Sequence, residues 1–256
     1  MRSLSAFFKK ELMEQLRSGR LFVLGVLFAA FGVMNPAVAK LTPWLLEVMA
    51  DSLAESGMTV TVSTVSAMDS WAQFYKNIPM ALIAFVLLEG GIFTKEYASG
   101  TLVLSLTKGL ARYKVLVAKG GILLLLWTVG YWLCFGITYG YNAYFWDNSV
   151  AKNLMPSALL WWLFGLLTVS LTVLFSVLTA SNTGVLMGTG GVILSLYLIG
   201  MIPKVGKYLP TALTEGTAMI YGYSALREYT VAALVTAILC VVFWVVSIPI
   251  FNKKQL

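Results

Sequence analysis

The chain has 256 residues, of which 59% are hydrophobic and 11% are charged, and its formal net charge is +7. A soluble domain carries about 25% charged residues. This composition, with a mean hydropathy of +0.84, excludes a soluble globular protein and predicts one polytopic membrane domain over residues 1–256. The chain has no histidine, which excludes serine–histidine triads and zinc sites with histidine ligands. Cys134 and Cys240 lie in apolar runs and are interpreted as packing residues.

The first 20 residues predict an amphipathic helix. Leu4, Phe8 and Leu12 recur every four residues, Met13 and Leu16 continue the apolar side, and basic residues occupy the rest. Such a helix lies in the membrane interface with its basic face toward the headgroups. It is interpreted either as a juxtamembrane anchor or as a helix that also contacts a cytoplasmic partner. The candidate functional residues of this segment are Phe8, Lys9, Lys10, Arg17 and Arg20.

Six apolar runs follow, and each approaches the length of about 20 residues that a helix needs to cross a bilayer. Because the backbone must satisfy its own hydrogen bonds inside lipid, the runs predict helices and hence an all-α fold. Their approximate bounds are 21–39, 78–94, 120–145, 156–180, 184–202 and 229–251.

Glu89 is the one ionisable side chain inside these runs. It is interpreted as a structural partner of a nearby basic residue or backbone donor, or as a functional group. The first outer loop is long, and it predicts a short amphipathic helix over 44–53 and an extended stretch over 59–65. The mildly hydrophobic outer segment 203–228 is predicted to re-enter the membrane.

Most basic residues fall on one side of the membrane if the chain has six spans. They lie in the N-terminal segment, in the loop after the second span and at the C-terminus. The positive-inside rule then predicts cytoplasmic termini in a multi-pass protein of the cell membrane. A phosphate-binding P-loop needs a lysine after its glycines, and the glycine-rich run 184–191 has none. We therefore expect no ATP-binding motif, catalytic residue or metal site in this chain, and no nucleic-acid partner.

The loop at 95–119 is the most informative segment. Ser99 or Thr101 is expected to cap a short helix, and 108–119 is expected to form a second amphipathic helix. In that helix Arg112 and Lys119 would reach to the membrane interface. The apolar positions of the loop are Leu102, Leu104, Leu106 and Leu110. The loop is interpreted either as a solvated basic loop that the topology requires or, because of its exposed leucines, as the binding surface of a protein partner.

This loop resembles the cytoplasmic loop of ABC-2 type transporter permeases. The residues that carry the resemblance are Glu96, Ser99-Gly100-Thr101, the leucines that follow, Arg112 and Lys119. The N-terminal Phe8-Lys9-Lys10-Glu11-Leu12, followed by Arg17-Ser18-Gly19-Arg20, is similar to the elbow helix that leads into the first span of that family. Six spans with both termini on the same side also match, so the resemblance covers the whole chain.

The resemblance implies a permease without its own nucleotide-binding domain. A separate ATPase subunit in two copies would bind ATP and Mg²⁺, and a second permease, identical or paralogous, would complete an exporter. Closure of the ATPase pair would reach the membrane through the elbow and the loop after the second span. The residues assigned by the resemblance to ATPase coupling are Glu96, Gly100, Thr101, Leu102, Leu106, Lys108 and Arg112.

Family members export drugs, lipids, polysaccharides, sodium or peptides. The apolar and aromatic spans of this chain suit a hydrophobic or amphipathic substrate, such as a peptide or an antibiotic. A membrane-embedded enzyme and a non-transporting membrane scaffold are the alternatives, and co-purification with an ATPase would argue against both.

The fifth span carries a face of small residues. Steps of four, three and four place them on one side of a helix, where small side chains let helix backbones approach closely in lipid. These residues are Gly184, Gly188, Gly191 and Ser195. The face is predicted to pack either within one subunit or against the second permease.

Overall fold

The computed structural model describes residues 2–50, 64–107 and 109–254. All the regular elements in these ranges are helices. Six helices among the described residues are long and apolar enough to cross a membrane. The predicted all-α architecture with six membrane spans is therefore confirmed.

The helices alternate between long spans and short connections. In chain order they are α1 (Arg2–Arg17), α2 (Arg20–Val48), α3 (Ala67–Glu89), α4 (Thr94–Ser99), α5 (Thr101–Thr107), α6 (Arg112–Phe145), α7 (Leu154–Leu178), α8 (Asn182–Gly200), α9 (Pro203–Gly206), α10 (Gly216–Ile220) and α11 (Leu226–Lys253). Short 3-10 turns occupy Asn148–Val150 and Pro210–Thr214. The six spans are α2, α3, α6, α7, α8 and α11.

The first span is longer than the apolar run that predicted it. α2 continues to Val48 with Pro36 and Pro43 inside the helix, so in the described range there is no separate helix beginning at residue 44. Prolines are tolerated in membrane helices because neighbouring groups satisfy the freed carbonyls. Most of the predicted extended stretch 59–65 lies outside the described residues.

The second span also begins earlier than residue 78. The Ser66 hydroxyl accepts a hydrogen bond from the backbone N–H of Met68 at 3.2 Å, and the Asp69 carboxylate accepts one from the N–H of Ser66 at 2.8 Å. This reciprocal capping satisfies two of the free N–H groups at the start of a helix. It explains why α3 starts at Ala67.

The interior of the bundle is aromatic, and α7 lies at its centre. In α7, 67% of the most apolar stretch is buried, against 11% in α8 and 17% in α11. Gly165 of α7 faces the Trp127 ring of α6, and a Cβ at this position would lie 2.1 Å from the ring. The Tyr131 hydroxyl donates a hydrogen bond to the carbonyl of Ala158 at 2.7 Å. Close approach of α6 and α7 therefore depends on a glycine.

The segment 203–228 packs back onto the end of the bundle. The Trp161 indole donates a hydrogen bond to the carbonyl of Thr214 at 3.0 Å, and the Ser157 hydroxyl donates one to the carbonyl of Gly216 at 3.2 Å. Trp161 lies seven residues into α7, about 10 Å along its axis. The segment thus reaches below the top of α7, and membrane re-entry stays a prediction.

Candidate functional site

The N-terminal helix presents polar groups, as well as apolar ones, to the protein. Phe7, Glu11 and Gln15 are buried on one side of α1, since residues four apart share a helix face. Phe8 is partly buried on this side, whereas Met13 and Leu16 are exposed. The chain itself therefore leaves Met13 and Leu16 uncovered, and the contact of this apolar side with the membrane interface stays a prediction.

Four charged side chains from α1, α4 and α6 lie in contact with one another. We call Lys10, Glu11, Glu96 and Lys119 the ionic junction. The Lys119 ammonium lies 2.7 Å from a Glu11 carboxylate oxygen and 3.1 Å from one of Glu96. The Lys10 ammonium lies 2.9 Å from Glu11 and 2.8 Å from Glu96. Each carboxylate thus contacts both ammonium groups.

The junction is shielded from solvent on the side of Lys119. The exposed fraction of the side chain is 1% for Lys119, 3% for Glu11 and 9% for Glu96, but 46% for Lys10. Breaking a buried pair by removing one partner costs about 3–5 kcal/mol. Lys119 is therefore a buried ionic partner, and the prediction that it reaches to the membrane interface is wrong.

Neighbouring charges shift the pKa values of two residues of α1. Burial acts to lower the pKa of Lys10, but its hydrogen bonds to Glu96, Glu11 and Glu14 outweigh burial and raise that pKa above its ordinary range. Burial acts to raise the pKa of Glu14, but the Lys10 ammonium lowers it below the ordinary value. Both groups are therefore held in their charged forms.

Carboxylate oxygens of Glu11, Glu14 and Glu96 lie within 4.8 Å of one another, a spacing that would suit a metal ion. The Lys10 ammonium contacts all three residues. A lysine therefore stands where a cation would bind, and the geometry does not favour a metal.

Glu89, the membrane carboxylate singled out from the sequence, hydrogen-bonds to α1. The Gln15 amide donates to a Glu89 carboxylate oxygen at 2.8 Å, and both side chains are buried. Among the described residues, the other Glu89 oxygen has no hydrogen-bond partner. The partner is thus a neutral amide rather than the predicted basic residue or backbone donor.

A polar pocket of about 300 Å³ lies beside the ionic junction, between α1 and α4. Arg20 and Thr101, two of the residues selected from the sequence, are part of its wall. Lys9 and Arg17, by contrast, are on the exposed side of α1. The elbow residues therefore divide between a protein-facing set and a solvent- or lipid-facing set.

The loop after α3 folds into two short helices separated by Gly100. Its φ of +68° lies in the left-handed region, which glycine adopts without strain. Leu102 is buried in the protein's own core, and Leu106 is partly buried, so the expected exposed leucine ridge is wrong at Leu102. Among the side chains of α5 that the structure describes, Val103 is apolar and 40% exposed. Lys108 lies outside the described residues.

Arg112 and Lys254 cap helix ends on the same side of the bundle. The Arg112 guanidinium donates to the carbonyls of Phe251 and Lys254 at the end of α11. The Lys254 ammonium donates to the carbonyls of Val177 and Thr179 at 2.8 and 2.7 Å, at the end of α7. These contacts satisfy carbonyls that a helix leaves free at its C-terminus. Arg112 starts α6 itself, so the predicted separate helix over 108–119 is not formed in the described part.

A known family matches the chain along nearly its whole length. The model of the family described as "ABC-2 family transporter protein" matches residues 5–256. The chain belongs to the ABC-2 transporter family. This membership makes it a transmembrane subunit of an ABC transporter that works with an ATPase partner. A search of curated proteins finds no match.

The small residues on one face of α8 differ in their surroundings: some pack against the chain itself and others are exposed. A Cβ on Gly188 would lie 2.2 Å from the Phe175 ring of α7, so Gly188 serves packing within the chain. A Cβ on Gly184 would lie 3.0 Å from Thr179. A Cβ on Gly191 would meet nothing within 4 Å, and Ser195 is exposed.

The permease also contains a neutral polar cluster that sequence reasoning missed. The Asn35 amide donates to the Thr138 hydroxyl at 3.0 Å, which donates to the carbonyl of Gly32 at 3.0 Å. The Asn77 amide donates to the Asn35 amide oxygen at 2.9 Å. The only signal in the sequence was an asparagine inside the first apolar run, which lipid tolerates when it is hydrogen-bonded.

Proposed function

We propose that this permease subunit exports a hydrophobic or amphipathic substrate, such as a peptide or an antibiotic, from the cytoplasm. In this proposal two permeases and two ATPase subunits form the transporter, and the ATPase subunits bind ATP and Mg²⁺. The termini are cytoplasmic, which the excess of lysine and arginine on their side supports. The apolar faces left exposed by the single chain support an amphipathic cargo.

The ionic junction is the observation that carries this proposal. It connects α1 through Lys10 and Glu11, the loop after α3 through Glu96, and the first turns of α6 through Lys119. Because buried opposite charges resist separation, a push on α4 and α5 would move α1 and α6 with it. The junction therefore suits the coupling of an ATPase movement to the membrane helices.

The docking surface for the ATPase is proposed on α5. The turn at Gly100 sets the direction of this helix, and Leu102 anchors it in the core. Val103 points outward from the helix, where an apolar side chain suits burial in a partner. Leu106 and Arg112 then act through the position of the loop rather than by direct contact.

Co-purification of the ATPase and transport together test this proposal. The permease is co-expressed with a candidate ABC ATPase subunit from the same organism, and ATP-driven transport of a fluorescent amphipathic peptide is measured in reconstituted vesicles. Val103→Asp should lower ATPase recovery at least tenfold, because it places a carboxylate in an apolar contact. Leu106→Asp should also fail to bind or to transport. Val103→Thr, which keeps the shape of the side chain, is the matched control.

Wild-type recovery and transport with Val103→Asp would show that α5 is not the docking element. If the wild-type permease co-purifies with the ATPase but transports no amphipathic peptide, the proposed substrate is wrong, whereas the proposed ATPase docking on α5 still stands.

The second permease is proposed to contact α8. Only 11% of its most apolar stretch is buried in the single chain, and the exposed Gly191 faces open space. In the family to which this chain belongs, the pathway forms between two permeases, lined mainly by spans one, two and five. α2, α3 and α8 are the corresponding helices here.

Light scattering of the detergent-solubilised complex tests this contact. Gly191→Leu should shift the complex toward single permeases, since leucine would block close approach of the two α8 helices. Gly188→Leu is the comparison, because it clashes with Phe175 inside the chain and should lower thermal stability instead. An unchanged mass for Gly191→Leu would place the second permease elsewhere.

A further inference from the structure

An apolar groove runs along α6 at the end of the bundle opposite to the chain termini, and one part of it is also bounded by α2. It consists of two cavities of about 460 and 480 Å³ that share Tyr141 and Phe145. Its α2 wall includes Val33, Pro36 and Lys40. Because both cavities are lined by the same two aromatic residues, they adjoin each other along α6, and we call them together the groove.

Two glycines of α6 line the groove and leave space where side chains would otherwise lie. Gly136 and Gly140 lie four residues apart on α6 and both line the groove. A Cβ built on either glycine would meet nothing within 4 Å. The described part of the chain therefore leaves an open and apolar bed, whose shape suits a flexible hydrocarbon chain.

The Lys40 side chain places a positive charge at one end of this bed. The Lys40 ammonium lies 3.7 Å from the centre of the Phe145 ring, a contact in which the ring face attracts the charge. The described residues give Lys40 no ion-pair partner. Its side chain is exposed, so the charge is available to an anion.

Lys40 and the two glycines lie at the membrane depths of a lipid headgroup and its acyl chain. Twenty residues of α2 separate Arg20 from Lys40, and at 1.5 Å per residue they span about 30 Å, the thickness of the hydrocarbon core. With Arg20 at one boundary, Lys40 lies at the opposite headgroup level. Gly140 and Gly136 lie about 7 and 13 Å deeper than Phe145 along α6.

We propose that this groove binds an anionic phospholipid of the leaflet opposite to the termini. Its phosphate contacts Lys40 beside Phe145, and one acyl chain lies on the bed formed by Gly136 and Gly140. The polar group and the apolar bed follow each other in the order in which a phospholipid presents its headgroup and its tail. The site requires only that the six helices span a membrane, so it stands independently of the proposed export function.

Lipid binding to the purified full-length permease tests the site. Dioleoyl phosphatidylglycerol and dioleoyl phosphatidylcholine are added to the protein in detergent, and bound lipids are counted by native mass spectrometry. The wild type should retain more phosphatidylglycerol and gain thermal stability from it. Because one lysine near an anionic headgroup contributes a factor of about five in binding, Lys40→Gln should reduce this preference about fivefold.

Two further variants make the result specific. Lys207→Gln is the matched control, since its ammonium also lies over an aromatic ring, that of Tyr208 at 4.9 Å, away from the groove. It should keep the wild-type preference. Gly140→Leu should lower retention of both lipids because it fills the bed, and open space around Gly140 predicts an unchanged melting temperature without added lipid.

Several results would overturn the proposal. Equal retention of the two lipids by the wild type, or an unaltered preference in Lys40→Gln, would remove the role of the charge. If millimolar inorganic phosphate abolishes the preference for phosphatidylglycerol, the site binds free phosphate rather than a lipid. A change from dimer to monomer in Gly140→Leu, with lipid retention unaltered, would show that a second copy of the permease fills the groove.

Discussion

Two polar clusters in the described part of the bundle contain different kinds of side chain. The ionic junction near the termini contains four charged side chains, whereas the cluster of Asn35, Asn77 and Thr138 contains neutral groups only. Nineteen residues of α6 separate Lys119 from Thr138, about 28 Å along the helix. Charges are therefore kept at one edge of the membrane, and neutral hydrogen bonds serve the interior.

This difference follows from the cost of burial in lipid. A charged side chain at the centre of a bilayer costs at least ~2.5 kcal/mol even by the most lenient scales, while an interhelical hydrogen bond between neutral groups contributes about 0.6 kcal/mol on average. A charged cluster resists rearrangement more strongly than a neutral one. We therefore expect the cluster at the edge where the ATPase is proposed to act to be the more rigid of the two.

The largest expected effect comes from Lys119→Met. The change leaves Glu11 and Glu96 buried with Lys10 as their remaining partner, and it should lower the free energy of unfolding by about 3 kcal/mol, the lower end for a broken buried pair. Unfolding in detergent is measured with a thiol-reactive dye that labels the buried Cys134 as the bundle opens.

The matched control for this variant is Lys9→Met, which removes an exposed lysine of α1 and should leave the midpoint unchanged. If Lys119→Met and Lys9→Met unfold at the same temperature, the ionic junction does not stabilise the fold.

A smaller effect is expected from Asn35→Leu. It removes two hydrogen bonds of the neutral cluster and should cost about 1–2 kcal/mol, given the modest value of such bonds in membrane proteins. The same dye measures it. Thr138→Val removes the hydrogen bonds of Thr138 with Asn35 and with the Gly32 carbonyl, but it keeps the shape of the side chain and the Asn35–Asn77 hydrogen bond, so its cost should not exceed that of Asn35→Leu. A loss as large as that of Lys119→Met would erase the distinction between the two clusters.

The smallest effect is expected from pH. The pKa of Glu14 is lowered in the folded protein, so its contribution is present above its ordinary pKa of 4.5 and is lost as the pH falls through the lowered value. The pKa of Lys10 is raised, so its contribution is complete below its ordinary value and is lost only at strongly alkaline pH. Acidification below about pH 4.5 should therefore loosen α1.

Hydrogen–deuterium exchange of α1 measures this loosening. Glu14→Gln should reduce the difference in α1 protection between pH 7 and pH 4, and the amides around Asn35 should show no dependence on this substitution. An identical pH response with and without Glu14 would mean that this carboxylate does not stabilise the position of α1.

Composition and apolar run length determined the architecture of this protein. Six runs of apolar residues were enough to predict six helices, because lipid leaves the backbone no other way to satisfy its hydrogen bonds. The N-terminal helix was also predictable from the spacing of Leu4, Phe8 and Leu12. The left-handed turn at Gly100 follows from the one residue type that adopts it freely.

Only the tertiary structure decided which residues meet. Lys119 pairs with Glu11 across 108 residues of sequence, and a local pattern carries no information about a contact at that distance. Hydrophobic spacing placed Leu16 on the apolar side of α1 but gave no reason to expect burial of Glu11, because a carboxylate is buried only when a distant chain segment supplies its partner. The exposure of Val103 and the burial of Leu102 depend likewise on where the core lies.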